Sequence, residues 1–129
     1  MAEPSSGFFW TGGILRGLVI AFLLFDGGTK VLRVQPVLDA CARLGFGPEK
    51  VAVIGTILLL CTALYAVPQT RVLGAILLTG YLGGAVATHL RQDSSLFETV
   101  FPIAFGALAW LGLALRDPGL GRTLLSLPM

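Results

Sequence analysis

Four long runs of apolar residues follow one another along the chain, at about residues 12–31, 51–67, 72–90 and 96–115. A helix needs about 20 mostly apolar residues to cross the hydrocarbon core of a bilayer, with a usable range of about 17–25. A buried helix of a water-soluble protein usually keeps a polar face at the helical repeat. The second and third runs have no such face, and the fourth carries only Glu98 near its start. The pattern therefore predicts four transmembrane helices.

The connections between these runs differ in length. Those after the second and third runs are short, at residues 68–71 and 91–95, so the helices that they join should pack antiparallel. The first connection, residues 32–50, is longer. Within it, residues 36–44 place four apolar side chains on one side and two charged ones on the other: Val37, Leu38, Cys41 and Leu44 against Asp39 and Arg43. With Gly45 at the expected helix end, this predicts a short amphipathic interfacial helix; an ordinary amphipathic linker has the same pattern.

The fold class that follows is all-α: an integral membrane four-helix bundle with a short amphipathic interfacial helix between helices 1 and 2. We expect residues 1–129 to form a single transmembrane domain. The first 15 residues have no basic segment of the signal-peptide kind, so we expect the first run to be retained. The patterns Gly80-xxx-Gly84 and Gly13-xxx-Gly17 let helix backbones approach closely, and we expect them to serve packing inside the bundle more than dimerisation.

The composition agrees with a membrane protein. Hydrophobic residues make up 55% of the chain and charged residues 12%, whereas a soluble domain carries roughly 25% charged residues. We therefore expect a multi-pass protein of the cell membrane, with the lipid bilayer as its partner. The net charge of +2 comes without any run of basic residues, which excludes nucleic-acid binding. The basic residues divide almost evenly between the two predicted sides, so the positive-inside rule gives no orientation.

Two cysteines and one histidine restrict the chemistry available. Cys41 and Cys61 have no CxxC spacing, and we expect both to be free packing residues. A single histidine cannot build a typical His-rich metal site, so no metal is predicted. The chain also has no Ser-His-Asp, P-loop or Rossmann pattern.

Ionisable residues in or near the predicted spans are the best leads to function, because a charge near the bilayer centre costs about 2.5–3.5 kcal/mol. They are Arg16, Asp26, Lys30, His89, Arg91, Asp93 and Glu98. The end of helix 1, the end of helix 3 and the start of helix 4 lie on the same side of a four-helix bundle. All of these residues except Arg16 therefore share one leaflet.

This arrangement predicts a polar pocket at one end of the bundle, roofed by residues 36–44. Asp26 and Lys30 are four residues apart and so share a helix face, in the favourable order of acid before base. The catalytic candidates are His89, Asp26 and Lys30, and the ligand-binding candidates are Arg91, Glu98, Tyr81 and Thr88. We expect His89 to donate or accept a proton, Asp26 to orient it, and Lys30 or Arg91 to hold an oxyanion.

Each of these residues also has a purely structural interpretation. Asp26 and Lys30 form an ion pair at the membrane boundary, and His89 and Arg91 are ordinary interfacial groups. Glu98 is then a partner for the dipole of helix 4, and Arg16 reaches toward the opposite membrane surface.

Several segments of the sequence resemble the DoxX-like family of small four-helix membrane proteins. They are residues 25–30 at the end of helix 1, residues 53–55, residues 73–91, and Phe97, Phe101, Pro102 and residues 115–117 in and after helix 4. The stretch at residues 80–89 is fairly specific, whereas the Asp-xxx-Lys pair alone is weak. The resemblance covers about residues 12–122.

The resemblance implies a four-helix membrane bundle, and it implies several functions. Some relatives are membrane subunits linked to sulfur-compound and quinone redox chemistry or to thiol stress systems, and another branch resembles chaperones for receptor assembly. Members often carry a second histidine near the position of Glu98. Its absence here, like that of paired thiols, argues against a two-histidine site and against a thiol oxidoreductase.

Three functional hypotheses follow. In the first, the pocket binds a small amphipathic molecule, a quinone being one candidate cofactor, in a redox or proton-transfer context. In the second, the protein is a non-catalytic accessory subunit whose Gly-rich faces dock on other membrane protein subunits or on a second copy. In the third, it is a membrane assembly factor or small transporter.

Overall fold

The computed structural model describes residues 6–117 and 119–120, and every element in this part of the chain is an α-helix. The five helices are α1 (Ser6–Val31), α2 (Gln35–Arg43), α3 (Pro48–Ala66), α4 (Arg71–Arg91) and α5 (Leu96–Arg116). Within the described ranges, all of them except α2 are long and apolar enough to cross a membrane. The predicted fold class, including the short helix between the first two spans, is confirmed.

Local sequence explains where the helices begin and end. Pro48 opens α3, where its missing N–H costs nothing. Ser95 caps α5: its hydroxyl oxygen accepts from the Glu98 amide at 3.2 Å, the usual N-cap bond, and the hydroxyl donates to the Glu98 carboxylate at 3.1 Å. Gly45 follows α2 with φ +92°, a conformation that glycine adopts without steric cost. The first helix begins at Ser6, ahead of the predicted residue 12.

The four long helices form a ring in the order α1, α3, α4, α5, in which each packs against its two neighbours. The short helix α2 lies against α1 and α3. Because consecutive spans are antiparallel, Tyr65 near the end of α3 and His89 near the end of α4 lie at opposite ends of the bundle. These ends are called below the Tyr65 end and the His89 end.

The core consists of buried side chains from all four spans: Val19, Leu23, Leu58, Cys61, Tyr65, Ala75, Leu78, Ala109 and Leu113. Tyr65 is fully buried, and its hydroxyl donates to the Ala109 carbonyl at 2.7 Å. This bond satisfies the one polar atom of the tyrosine ring in the core. Large apolar side chains on the outside of the spans are exposed, as expected where lipid covers them.

Close helix approaches occur where glycine leaves room, and they lie at both ends of the bundle. At the Tyr65 end, a Cβ added to Gly112 of α5 would lie 2.9 Å from Arg16 Cγ, and one added to Gly74 of α4 would overlap the backbone of Tyr65. At the His89 end, Gly27 of α1 and Gly55 of α3 face each other, and a Cβ on Gly55 would lie 2.9 Å from the Gly27 carbonyl. At the Tyr65 end, the backbones of α1 and α5 therefore approach each other closely, and so do those of α3 and α4.

The predicted role of the two small-xxx-small patterns in packing inside the bundle is wrong. A Cβ added to Gly17, Gly80 or Gly84 would meet nothing within 4 Å in the described structure, and one added to Gly13 would meet only the Arg116 side chain. The glycines that do pack lie on different helices, so their pairing is not visible as a spacing along the chain.

Polar contacts hold the Tyr65 end together. The guanidinium of Arg16 donates to the Tyr65 carbonyl at 2.8 Å and lies over its ring, 5.2 Å from the centroid. Arg16 is therefore directed into the bundle and does not simply extend to the membrane surface. Arg71 pairs with Asp117 at 2.8 Å. The sequence also predicts that the C-terminal tail closes this end of the bundle, but residues 121–129 lie outside the described residues.

Candidate functional site

A cavity of about 610 Å³ occupies the His89 end. Residues of all five helices line it, and most of them are apolar. The α1, α3 and α5 walls consist of Phe22, Leu23, Ile54, Phe101, Pro102 and Phe105, together with Leu82, Gly84 and Ala85 of α4. The polar groups on its wall are Asp26, Lys30, Tyr81, Thr88 and His89.

Helix α2 forms the roof of this cavity. Its residues Val37, Ala40 and Cys41 line the space below, whereas Asp39 and Arg43 are exposed. Burial of the apolar side and exposure of the charged side are what the amphipathic pattern of residues 36–44 predicted. The roof is thus a separate short helix, held by limited packing on α1 and α3.

Asp26 and Lys30 form an ion pair on the cavity wall. The Lys30 ammonium donates to Asp26 Oδ1 at 2.6 Å, and the Lys30 side chain is only 13% exposed. A cation at such a position needs a partner, because leaving it unpaired would cost several kcal/mol. The pair is neutral overall, so it presents hydrogen-bonding atoms to the cavity without a net charge.

His89 is held by a turn after α4 that the sequence did not reveal. Its Nδ1 lies 3.0 Å from the Ser94 hydroxyl and 4.0 Å from Glu98 Oε2. Asp93 has φ +53°, and the Ser94 amide donates back to the His89 carbonyl at 3.0 Å, which brings the Ser94 side chain to the ring. The residue that contacts the imidazole is therefore Ser94, while the Asp26 carboxylate is bonded to Lys30.

The remaining predicted residues divide into two groups. Tyr81 and Thr88 line the cavity; Thr88 donates its hydroxyl proton to the Gly84 carbonyl at 2.8 Å, whereas the Tyr81 hydroxyl has no hydrogen-bond partner among the described residues. Arg91 and Glu98 are exposed and do not line the cavity. The structure thus brings together five of the seven predicted site residues in the cavity wall and leaves the other two outside its lining.

Sequence reasoning missed an aromatic cluster in the cavity wall. The ring of Phe22 lies 4.8 Å from Phe105 and 5.9 Å from Phe101, between ring centroids. Phe97 extends the row, 5.7 Å from Phe101. The i, i+4 spacing of residues 97, 101 and 105 was the available signal, because such residues share one helix face.

Cys41 was expected to be a packing residue, and it is buried and unpaired, as is Cys61. It also lines the cavity. Burial raises the pKa of the Cys41 thiol; nearby Lys30 lowers it and Asp26 raises it, by smaller amounts. A thiol with a raised pKa is a poor nucleophile near neutral pH.

The chemistry available at this site is hydrogen bonding and proton exchange in apolar surroundings. No group of three or more His, Cys, Asp or Glu residues in the described part of the chain is placed to hold a metal ion. The imidazole can donate or accept a proton, the phenol can do both, and the ion pair offers donors and acceptors. Such a wall suits a molecule with an apolar body and a polar head.

Comparison with known proteins agrees with the architecture. The chain matches the model of the DoxX-like family over residues 14–112, which is most of its length, and it belongs to that family. It is accordingly a multi-pass integral membrane protein. Neither the search of curated proteins nor that of solved structures returned a match.

Proposed function

We propose that this protein binds a small amphipathic molecule in the cavity at the His89 end, in a redox or proton-transfer context. A quinone is the candidate, because it combines a flat apolar body with carbonyl oxygens that accept hydrogen bonds. The observation that carries the proposal is the mainly apolar cavity of about 610 Å³ whose few polar groups lie together under α2. Ligand sites typically have volumes of about 300–1,000 Å³ and few, well-placed polar groups.

The polar groups have distinct roles in this proposal. Tyr81, whose hydroxyl has no described partner, donates to a carbonyl of the head. His89 exchanges a proton with a head oxygen, and the Ser94 contact at 3.0 Å orients its ring. Lys30 holds an oxygen that gains negative charge, while Asp26 keeps the ammonium in place. Electrons would come from a separate redox partner.

A matched pair of glycine substitutions tests the site. Gly84 lines the cavity and Gly83 does not, yet an added Cβ meets nothing within 4 Å at either position. Gly84→Leu should fill ligand space without disturbing the fold. We expect it to weaken binding of a labelled decyl-tailed benzoquinone to the purified full chain at least about tenfold, and Gly83→Leu to leave binding unchanged. Absence of saturable binding by the wild type, or equal losses in both variants, would refute the proposal.

The polar residues of the cavity have their own test. His89→Ala should leave the protein folded and weaken probe binding. Asp26→Asn keeps an oxygen that accepts from Lys30, so the protein should still fold while the loss of charge weakens probe binding. His89→Gln keeps a hydrogen-bonding group, so it should retain more probe binding than His89→Ala. If all three variants bind the probe like the wild type, these residues have only structural roles.

A second candidate function is that of a non-catalytic accessory subunit. It is favoured by Gly80 and Gly83, which leave open space on the exposed side of α4 and are not used within the described bundle. Copurification from native membranes with mass spectrometry tests it. Protein partners that copurify with the wild type and with His89→Ala, but not with Gly80→Leu, would favour this function over ligand binding.

A further inference from the structure

A second apolar cavity, of about 530 Å³, runs along the outer surface between α1 and α5. Its lining is entirely apolar: Leu15, Leu18, Val19, Ala21, Phe22, Phe25, Phe105 and Leu108. We call it the α1–α5 groove. The groove faces the lipid, since Phe25 is 71% and Leu18 63% exposed.

The groove and the cavity at the His89 end share a wall. Phe22 and Phe105 line both, and their ring centroids lie 4.8 Å apart. Phe22 is itself 42% exposed. The residues that line both cavities are thus two aromatic residues from different helices. The backbone-close approach of α1 and α5 lies elsewhere, at Gly112.

From this continuity we infer that the α1–α5 groove binds the hydrocarbon tail of the molecule whose head occupies the cavity. The rings of Phe22 and Phe105 are in contact, with 4.8 Å between their centroids, so the chain passes between α1 and α5 where these two side chains turn aside. This inference rests on the proposed function and narrows its ligand to a lipid-soluble quinone with a single linear hydrocarbon chain. Such a molecule is delivered laterally from the bilayer and not from the aqueous phase.

The dimensions of the groove fit such a chain. Leu15 and Phe22 are seven residues apart on α1, which at about 1.5 Å per residue gives a length of about 10 Å, or roughly eight extended methylene groups. Lipid chains are as apolar as the groove, so no hydrophobic gain drives the tail into it; packing contacts do. The tail therefore determines where the ligand lies and how it enters the cavity, more than it determines the binding affinity.

Photo-crosslinking tests the inference directly. The probe is a benzoquinone with a decyl chain that ends in a diazirine, added to the full chain in lipid nanodiscs, with mass spectrometric mapping of the labelled residues. We expect labelling at Leu15, Leu18 or Leu108 that excess duroquinone, which has no tail, suppresses at least fivefold by displacing the head. A second probe has the same chain and a carboxylate head. Groove labelling by this probe that unlabelled decanoate suppresses, without suppressible groove labelling by the benzoquinone probe, would overturn the quinone as the occupant.

Substitution of Ala21 provides the matched control. Ala21 is exposed and lines the groove, whereas Ala107 of α5 is exposed and lines neither cavity. Ala21→Trp should abolish the suppressible labelling of the groove, and Ala107→Trp should retain it.

The outcomes separate the tail site from the site of the head. Suppressible labelling that maps to α2 or to residues 44–46 would overturn the tail site and leave the proposed function intact. Groove labelling that neither competitor reduces would reflect ordinary lipid contact and would overturn the inference. Absence of any suppressible labelling, together with absence of saturable probe binding, would overturn the proposed function as well.

Discussion

Arg16 is a cation inside the bundle that contacts no carboxylate among the described residues. It donates to the Tyr65 carbonyl at 2.8 Å, and that carbonyl belongs to the last turn of α3, where backbone acceptors have no partner within the helix. A cation there also complements the negative end of the helix dipole. Its buried Nε has no hydrogen-bond partner in the described part of the chain. Arg16 therefore ties α1 to the end of α3.

Cys41 gives a pH-dependent prediction at the residue scale. Because burial raises its pKa, less of the thiol is ionised at any given pH than in an exposed cysteine. In a Cys61→Ala background, N-ethylmaleimide should alkylate Cys41 at least about tenfold more slowly at pH 7.5 than it alkylates an exposed cysteine. The rate should go on rising at pH values above the usual pKa range of a thiol. The rate is followed by mass spectrometry.

The control for this measurement is the neighbouring position. Ala42 is exposed, so Ala42→Cys in a background with Cys41→Ala and Cys61→Ala should react at the ordinary rate. Equal rates at positions 41 and 42 would mean that α2 does not bury Cys41. A bound ligand in the cavity should slow position 41 further and leave position 42 unchanged.

At the scale of helices, glycine has two different uses in α4. Gly74 lets the α4 backbone approach Tyr65, whereas Gly83 has open space around it. Gly74→Ala should lower the free energy of unfolding by about 1–3 kcal/mol, because a methyl group is forced against backbone that cannot yield. Gly83→Ala should leave stability unchanged or raise it by up to about 1 kcal/mol through helix propensity. Thermal unfolding in detergent compares the stability of the two variants. Similar losses of stability in both would contradict the close approach of α4 to α3 at Gly74.

How far the sequence predicted the structure depends on what sets each feature. The span lengths follow from bilayer thickness, and the meeting of Asp26 with Lys30 follows from helix periodicity, so both could be predicted. Spans that are apolar all round give no signal for their rotation, and rotation decides whether Gly80 or Gly74 meets a neighbour. The contact of Ser94 with His89 depends on the left-handed turn at Asp93, which no pattern in the sequence indicates.

At the scale of the whole molecule, the topology makes a prediction that labelling can test. Gln92 and Asp39 lie at the His89 end, Gln69 lies in the connection at the Tyr65 end, and all three are exposed. In a cysteine-free background, Gln92→Cys and Asp39→Cys should react with an impermeant maleimide from the same face of sealed vesicles, and Gln69→Cys from the other. Labelling of Asp39→Cys from the face of Gln69→Cys would contradict the position of α2.

The position of the α1–α5 crossing has a mechanical consequence. Gly112 holds α5 against α1 near one membrane surface, so the crossing acts as a fulcrum and the rest of α5 as a lever arm. Phe101 lies about 11 residues or roughly 16 Å away along the helix, so a tilt of about 5° moves it by about 1.4 Å. That displacement is comparable to half the thickness of an aromatic ring. Phe105 lies nearer the crossing and moves less, so a small tilt loosens the contact of Phe22 with Phe101 more than its contact with Phe105, while the crossing itself stays unchanged.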